Sequence, residues 1–343
     1  MSDLAPNIAG FSPHPWLRGA HLQSVLPSLP LRRPFVERRA RAMLAASREL
    51  LLDCGDDVRL QAFHSAAARS TANASTGAND LLVVLLHGWE GSAQSLYVLS
   101  LAQTLHAAGY DVVRLNLRDH GDTHHLNRGL FHSCRLPEVL GALGNLQRRF
   151  PQRRLALAGF SLGGNFMLRA ANDAPAAGLD VACAIGVSPV LDPATTLIAL
   201  EQGAALYRKY FVRKWTRSLR RKHELWPDEF DLAALVTTRD LRSMTERLLL
   251  SHAGFDDLWS YFRGYAITGD RLAALRVPAT IVTALDDPII PAADLARLAK
   301  NPVLRIVTTE TGGHCGFFES PRRGGWIDRF VRAEIDAVRV SNA

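Results

Sequence analysis

No two of the four cysteines in this 343-residue sequence stand at a spacing suited to a zinc site, a redox pair or a disulfide framework. Cys54, Cys134, Cys183 and Cys315 stand alone, which fits a reducing compartment. No apolar run approaches the roughly 20 residues needed to span a bilayer. The opening stretch MSDLAPNIAGFSPHPW has neither the basic nor the apolar region of a leader. The expected location is therefore cytoplasmic. An acidic excess is also lacking: the formal charge is +7 at pH 7, a sign that suits nucleic acid, an anionic membrane or simple solubility. The arginines are spread out apart from a dense cluster between Arg208 and Lys222. No helix-turn-helix, zinc-finger or RNA-binding signature accompanies them, so no nucleic-acid partner is expected. With 48% hydrophobic and 21% charged residues, the chain has ample material for a globular core.

The organisation along the chain follows from hydrophobic period. Residues 1–48 mix proline, arginine and apolar residues without a steady repeat and read as an N-terminal extension wrapped on the core. The stretch ELLLDCGDDVRLQAFH, from Glu49, alternates around a Gly-Asp-Asp turn and predicts a hairpin at a sheet edge. A small, polar loop from Ser65 to Asp80 follows. From there short apolar runs alternate with amphipathic stretches, beginning LLVVLL then SLYVLSLAQTLHAAG. That alternation predicts an α/β fold with a mostly parallel central sheet and helices on both faces. Residues 49–191 and 278–343 carry this rhythm, closing with the helices ADLARLAK and GGWIDRFVRAEIDAVR. Residues 192–277 break it, look mainly helical, and read as a cap inserted over the site.

The chemistry centres on GFSLGGN, Gly159 to Asn165. Gly-x-Ser-x-Gly between a strand and a helix is a nucleophile elbow, in which the serine occupies a strained turn and needs small neighbours. A glycine turn that merely opens a helix is the competing reading. Ser161 becomes a nucleophile only with an imidazole in reach and a carboxylate to orient it. In such folds the order is Ser, acid, His. DDPIIP ends a predicted strand with Asp286 and Asp287, and TGGHCGFF after the last strand supplies His314. Asp287 is favoured as the acid and Asp286 is the alternative. The backbone amides of Leu162, after the serine, and of Trp89, in the HGWEGS loop, are candidates for the oxyanion hole. His87 reads as structural in that loop.

Two stretches invite other chemistry. RDHGDTHH, from Arg118, gathers histidines and aspartates, but its spacing suits a loop better than a metal site. HAAGYD, His106 to Asp111, fits an acyltransferase-like His-x4-Asp pattern and reads instead as a helix end followed by a strand start. The segment YRKYFVRKWTRSLRRKHELW interleaves bases with aromatics at helical spacing. It reads as a solvated helix face, or as a surface for transient contact with an anionic membrane.

Taken together, GFSLGGN, HGWEGS, VVRLNLRDHG, LFHS, DDPIIP, GGHCGFF and the opening PHPWLRGAHLQSVLPSL resemble the YheT-type branch of the α/β-hydrolases, from about Phe11 to Trp326. The resemblance implies a serine carboxylesterase or acylglycerol lipase for short to medium acyl chains, with no cofactor; the spacing of the histidines and aspartates predicts no metal. It implies Ser161, Asp287 and His314 as the triad, in agreement with the reading of the residues. Where relatives commonly have Arg-Gly-Cys, this chain has Arg118-Asp119-His120, so the shape and charge of one pocket wall are not carried over. The expected partner is a small-molecule ester or lipid. An acyltransferase using the same acyl-enzyme, and a non-catalytic ligand binder, are the rival readings.

Overall fold

A computed structural model of the protein describes residues 10–67, 80–229, 240–320 and 325–340, with Asp231, Ala233 and Val236. Most of the polar loop expected at 65–80 lies outside the described residues. Eight strands form one sheet: β1 Ser47–Asp53, β2 Arg59–Ser65, β3 Leu81–Leu86, β4 Asp111–Leu115, β5 Arg154–Phe160, β6 Val181–Val187, β7 Ala279–Ala284 and β8 Leu304–Thr309. Their order is β1-β2-β4-β3-β5-β6-β7-β8. The hairpin expected around Gly-Asp-Asp is present, with Asp53 opposite Arg59 and positive φ at Gly55, Asp56 and Asp57. Strand β2 pairs antiparallel with β4, and every pairing from β4 to β8 is parallel.

The two faces follow from the period of two along each strand. All six residues of β3 are buried, as a strand covered on both sides requires. Leu82, Val84 and Leu86 point to a layer formed by α5 (Leu136–Arg149) and α6 (Leu162–Asp173). Leu81, Val83 and Leu85 point to the other layer, formed by α4 (Leu96–Ala107) and the C-terminal helix Trp326–Val340. Before the sheet, the described part of the N-terminal region folds into α1 (Ala20–Val25), α2 (Arg33–Arg39) and α3 (Arg41–Ala45), with short 3-10 turns between. Val36, Ala40 and Met43 pack into the second layer.

Between β6 and β7 lie α7 (Pro193–Gln202), α8 (Ala205–Leu225) and helices Leu241–His252 and Leu258–Tyr265. One expected helix differs. ADLARLAK forms only a 3-10 stretch, Ala292–Arg297, because Leu298 turns extended and bridges to Gly269, while Gly269 N–H donates to Arg297 O at 2.8 Å. That tertiary pairing overrides the local helical preference.

Candidate active site

Strand β5 ends at Phe160 and α6 starts at Leu162, which leaves Ser161 alone as the turn between them. Its φ is +53°, an uncommon conformation for a residue with a side chain. The surrounding glycines make room for it. A Cβ at Gly159 would lie 2.4 Å from the Gly163 carbonyl carbon, and one at Gly163 would lie 2.3 Å from His87 O. The Ser161 N–H donates to Val187 O at 2.8 Å, and the residue lines two cavities.

Asp286 and Asp287 follow β7, and His314 follows β8. His314 Nδ1 sits 2.9 Å from Asp287 Oδ2, with the carboxylate fully buried and the ring side chain 12% exposed. Asp287 Oδ1 accepts the N–H groups of Ile289 and Ile290 at 2.8 and 3.0 Å, so both carboxylate oxygens are fixed. Burial alone would lower the His314 pKa. The Asp287 carboxylate, helped by Cys315, outweighs burial and holds it well above the ordinary value. Asp286 takes a different partner: its Oδ1 accepts the Gly313 N–H at 2.8 Å. Burial first, and the neighbouring Asp287 charge, raise its pKa despite that hydrogen bond. The two adjacent carboxylates thus divide between the ring of His314 and the backbone that carries it.

The loop after β3 approaches the elbow closely, since a Cβ on Gly88 would fall 3.1 Å from Ser161 Cβ. His87 orders this loop. Its Nδ1 donates to Gly88 O at 2.7 Å and its Nε2 accepts the Leu117 N–H at 3.2 Å, a neutral tautomer that complete burial enforces by pulling the pKa well down. Tyr97 accepts the Gly88 N–H at 3.1 Å. Trp89 stacks on Phe211 and meets Trp215 edge-on, so its indole is held by α8 while its backbone stays in the loop.

Two cavities meet at Ser161. One, of about 100 Å³, is apolar and runs under α7, α8 and the two following helices, past Leu197, Leu200, Trp215 and Leu248. The other, of about 380 Å³, holds His314 and opens between α8 and the N-terminal segment, with Ser24, Leu29, Tyr210 and Lys214 on its walls. Helix α8 is tied to the core from both sides of this junction. Lys214 Nζ donates to Glu90 O at 2.8 Å, and the buried Lys222 reaches Asp119 Oδ1 at 2.7 Å as well as the carbonyls of His124 and Asn127.

The histidine-rich loop is absorbed into these packing roles. Arg118 pairs with Glu138, Asp119 with Lys222, and His124 Nε2 lies 2.8 Å from Ser218 Oγ. His120 Nδ1 lies 2.7 Å from Arg118 O, and its ring meets those of His87 and Phe131. Asp111 opens β4 and binds His64 and Arg153, at the end of the parallel strands opposite to Ser161. Three residues that build the site carry no signature of that role in the sequence: Tyr97, Ser188, whose Oγ accepts the Cys315 N–H at 3.2 Å, and Ser24, whose Oγ accepts that of His314 at 2.8 Å.

The family model described as alpha/beta hydrolase fold matches residues 82–321. The chain is 26% identical over 322 residues to "Putative esterase YheT" of Escherichia coli (strain K12), covering 90% of this chain and 87% of that protein. It is 21% identical over 334 residues to phospholipase ABHD3 of Bos taurus, covering 96% and 78%. It is 23% identical over 274 residues to the monoacylglycerol lipase of Saccharomyces cerevisiae, covering 76% and 60%. Among solved structures, the Pyrococcus furiosus esterase Pf2001 shares the fold with a TM-score of 0.56 at 14% identity, over 85% of this chain and 89% of that one. With the match running from the first parallel strand through the His314 loop, the chain belongs to the α/β-hydrolase family.

Proposed function

We propose that the protein is a serine hydrolase of carboxylic esters with short to medium acyl chains. Ser161 Oγ attacks the ester carbonyl carbon while His314 takes its proton, and Asp287 orients the imidazole and balances its charge. The amides of Trp89 and Leu162 donate to the oxyanion. The alcohol leaves with the proton from His314. Water, deprotonated by the same imidazole, then attacks the acyl-enzyme and restores Ser161 with release of the acid. The observation that carries this reading is a His314–Asp287 pair behind a ring that shares one cavity with Ser161. Relatives named esterase, phospholipase and monoacylglycerol lipase support an ester or lipid substrate.

Residues 192–277 serve as the cap. The apolar chamber beneath them suits the acyl chain, and the wider cavity suits the alcohol portion. Lys209, Arg213, Arg217 and Arg220 lie exposed along α8, without ion-pair partners among the described residues, and Leu206 and Tyr210 stand exposed beside the wider cavity. This favours transient contact with an anionic lipid surface, expected as vesicle binding that weakens with salt. No helix among the described residues is long and apolar enough to cross a membrane.

The test is hydrolysis of p-nitrophenyl esters from acetate to palmitate by wild type and Ser161→Ala. Turnover of short or medium members by the wild type alone supports the mechanism. Equal turnover by both proteins removes it. Transfer of the acyl group to added ethanol or glycerol, in preference to water, would reassign the second step to an acyltransferase.

A further inference from the structure

The N-terminal segment reads in sequence as a wrapping, yet it is bonded to the loop that carries His314. Helix α1 provides two consecutive residues for this contact. Gln23 is completely buried. Its Nε2 donates to Leu17 O at 2.8 Å and to Phe318 O at 2.9 Å, and its Oε1 accepts the Phe318 N–H at 2.8 Å. Ser24 Oγ donates to Ala20 O at 2.7 Å and accepts the His314 N–H at 2.8 Å. The surfaces touch without space between them. A Cβ at Gly313 would lie 2.3 Å from Ala20 O, and one at Gly316 would lie 2.3 Å from Gln23 O. Further out, Phe11 packs against Phe317 and Trp326, and the His14 N–H donates to Glu319 O at 3.0 Å.

The His314 loop needs such support. Gly312, Gly313, Cys315 and Phe317 all have positive φ, so the backbone coils in a way no helix or strand ladder maintains. Its amides are satisfied largely from outside the loop: Gly313 by Asp286, His314 by Ser24, Cys315 by Ser188 and Phe318 by Gln23. Of these, the Ser24 bond is made to His314 itself, at the backbone amide, while Asp287 holds the ring. The segment also reaches the site directly. Ser24, Val25, Leu29 and Arg33 line the cavity that holds Ser161 and His314, and His21 Nδ1 lies 2.9 Å from Tyr207 OH on α8.

We propose that Ser24 is a positioning residue for His314 and that Gln23 fastens α1 to the same loop, which makes residues 11–33 a working part of the active site. This rests on His314 acting as the general base. A hydroxyl at position 24 fixes where the His314 backbone sits, and with it the height of the imidazole over Ser161. A misplacement of about 1 Å in such a group lowers turnover by roughly 100-fold.

The experiment uses the full chain with Ser24→Ala, Ser24→Thr and Ser161→Ala beside the wild type. It measures kcat, KM and the pH dependence of kcat on a p-nitrophenyl ester that the wild type cleaves, with Tm recorded for each variant. Ser24→Ala is expected to lower kcat by roughly 10- to 100-fold with KM unchanged, and to displace the ascending limb of the pH profile. Ser24→Thr is expected to recover most of kcat, because a threonine Oγ1 in a helix makes the same bond to the i−4 carbonyl and still accepts an amide. Ser24→Ala with wild-type kcat and pH profile overturns the proposal. So does an equal loss in both Ser24 variants that follows a fall in Tm, which would assign the position to packing. Turnover by Ser161→Ala at the wild-type rate would instead remove the serine mechanism, and this inference with it.

Discussion

The elbow at Gly159–Asn165 and the N-terminal segment at Phe11–Arg33 meet at one cavity, but they reach it by opposite routes. The elbow is made by neighbours: Gly159 and Gly163 leave the space that lets Ser161 adopt its positive φ between one strand and one helix. The N-terminal segment is made by distance. Ser24 and Gln23 bond to residues 290 and 295 positions further along the chain. A local device therefore presents the Ser161 hydroxyl, while the His314 loop is held by residues from both ends of the sequence. Faults in the first should abolish chemistry outright. Faults in the second should detune it.

The sharpest separation lies within the acid pair. Asp287→Asn is expected to lower kcat by about 10⁴-fold, since an amide favours the wrong imidazole tautomer. Asp286→Asn keeps an oxygen that accepts the Gly313 N–H and should lose no more than about tenfold, the scale of one neutral hydrogen bond. Steady-state kinetics of the two variants decides it, and a larger loss in Asp286→Asn would reverse their roles. Next in size is Gly163→Ala. Its Cβ would press on the carbonyls of His87 and Leu86, at 2.3 and 2.5 Å, and should destabilise the fold by about 3 kcal/mol, the upper end for overpacking, in urea unfolding. Gln23→Ala breaks three bonds of a buried amide and should cost about 2 kcal/mol by the same measurement, with kcat lowered less than in Asp287→Asn.

The smallest effect concerns pH. Because Asp287 raises the His314 pKa, the ascending limb of kcat/KM should have its midpoint above ~6.5, and Asp287→Asn should bring it down. The same raised value means that the pair's contribution to stability is complete below about pH 6.5, the unfolded pKa, and is lost as pH rises through the folded value. A midpoint that does not move in Asp287→Asn would detach this carboxylate from the titration.

The difference between the two regions also explains what could be read in the sequence. The parallel strands declare themselves because residues buried on both faces leave continuous apolar runs such as LLVVLL and VACAIGV. The elbow, the acid loop and the histidine loop are legible because glycine, serine, aspartate and proline mark turns with steric requirements of their own. Ser24 and Gln23 lie in the opening PHPWLRGAHLQSVLPSL, which carries the family resemblance but does not show what the two side chains bind. A polar residue in a six-residue helix has no periodicity to distinguish it, and its partner is defined only once the chain has folded. Lys222 is a similar case. Its place in a basic, interleaved segment suggests solvent, yet its ammonium is buried against Asp119 while neighbouring Arg220 and Arg221 are exposed. ADLARLAK failed for the converse reason, its helical preference yielding to the Gly269–Leu298 bridge.

Activation of Ser161 at the elbow can be read by intact mass and peptide mapping after reaction with a fluorophosphonate. A single adduct is expected on Ser161, absent in Ser161→Ala and formed more slowly in Ser24→Ala. A wild-type protein that takes no label under conditions that modify other serine hydrolases, or one labelled equally well after Ser161→Ala, would contradict it.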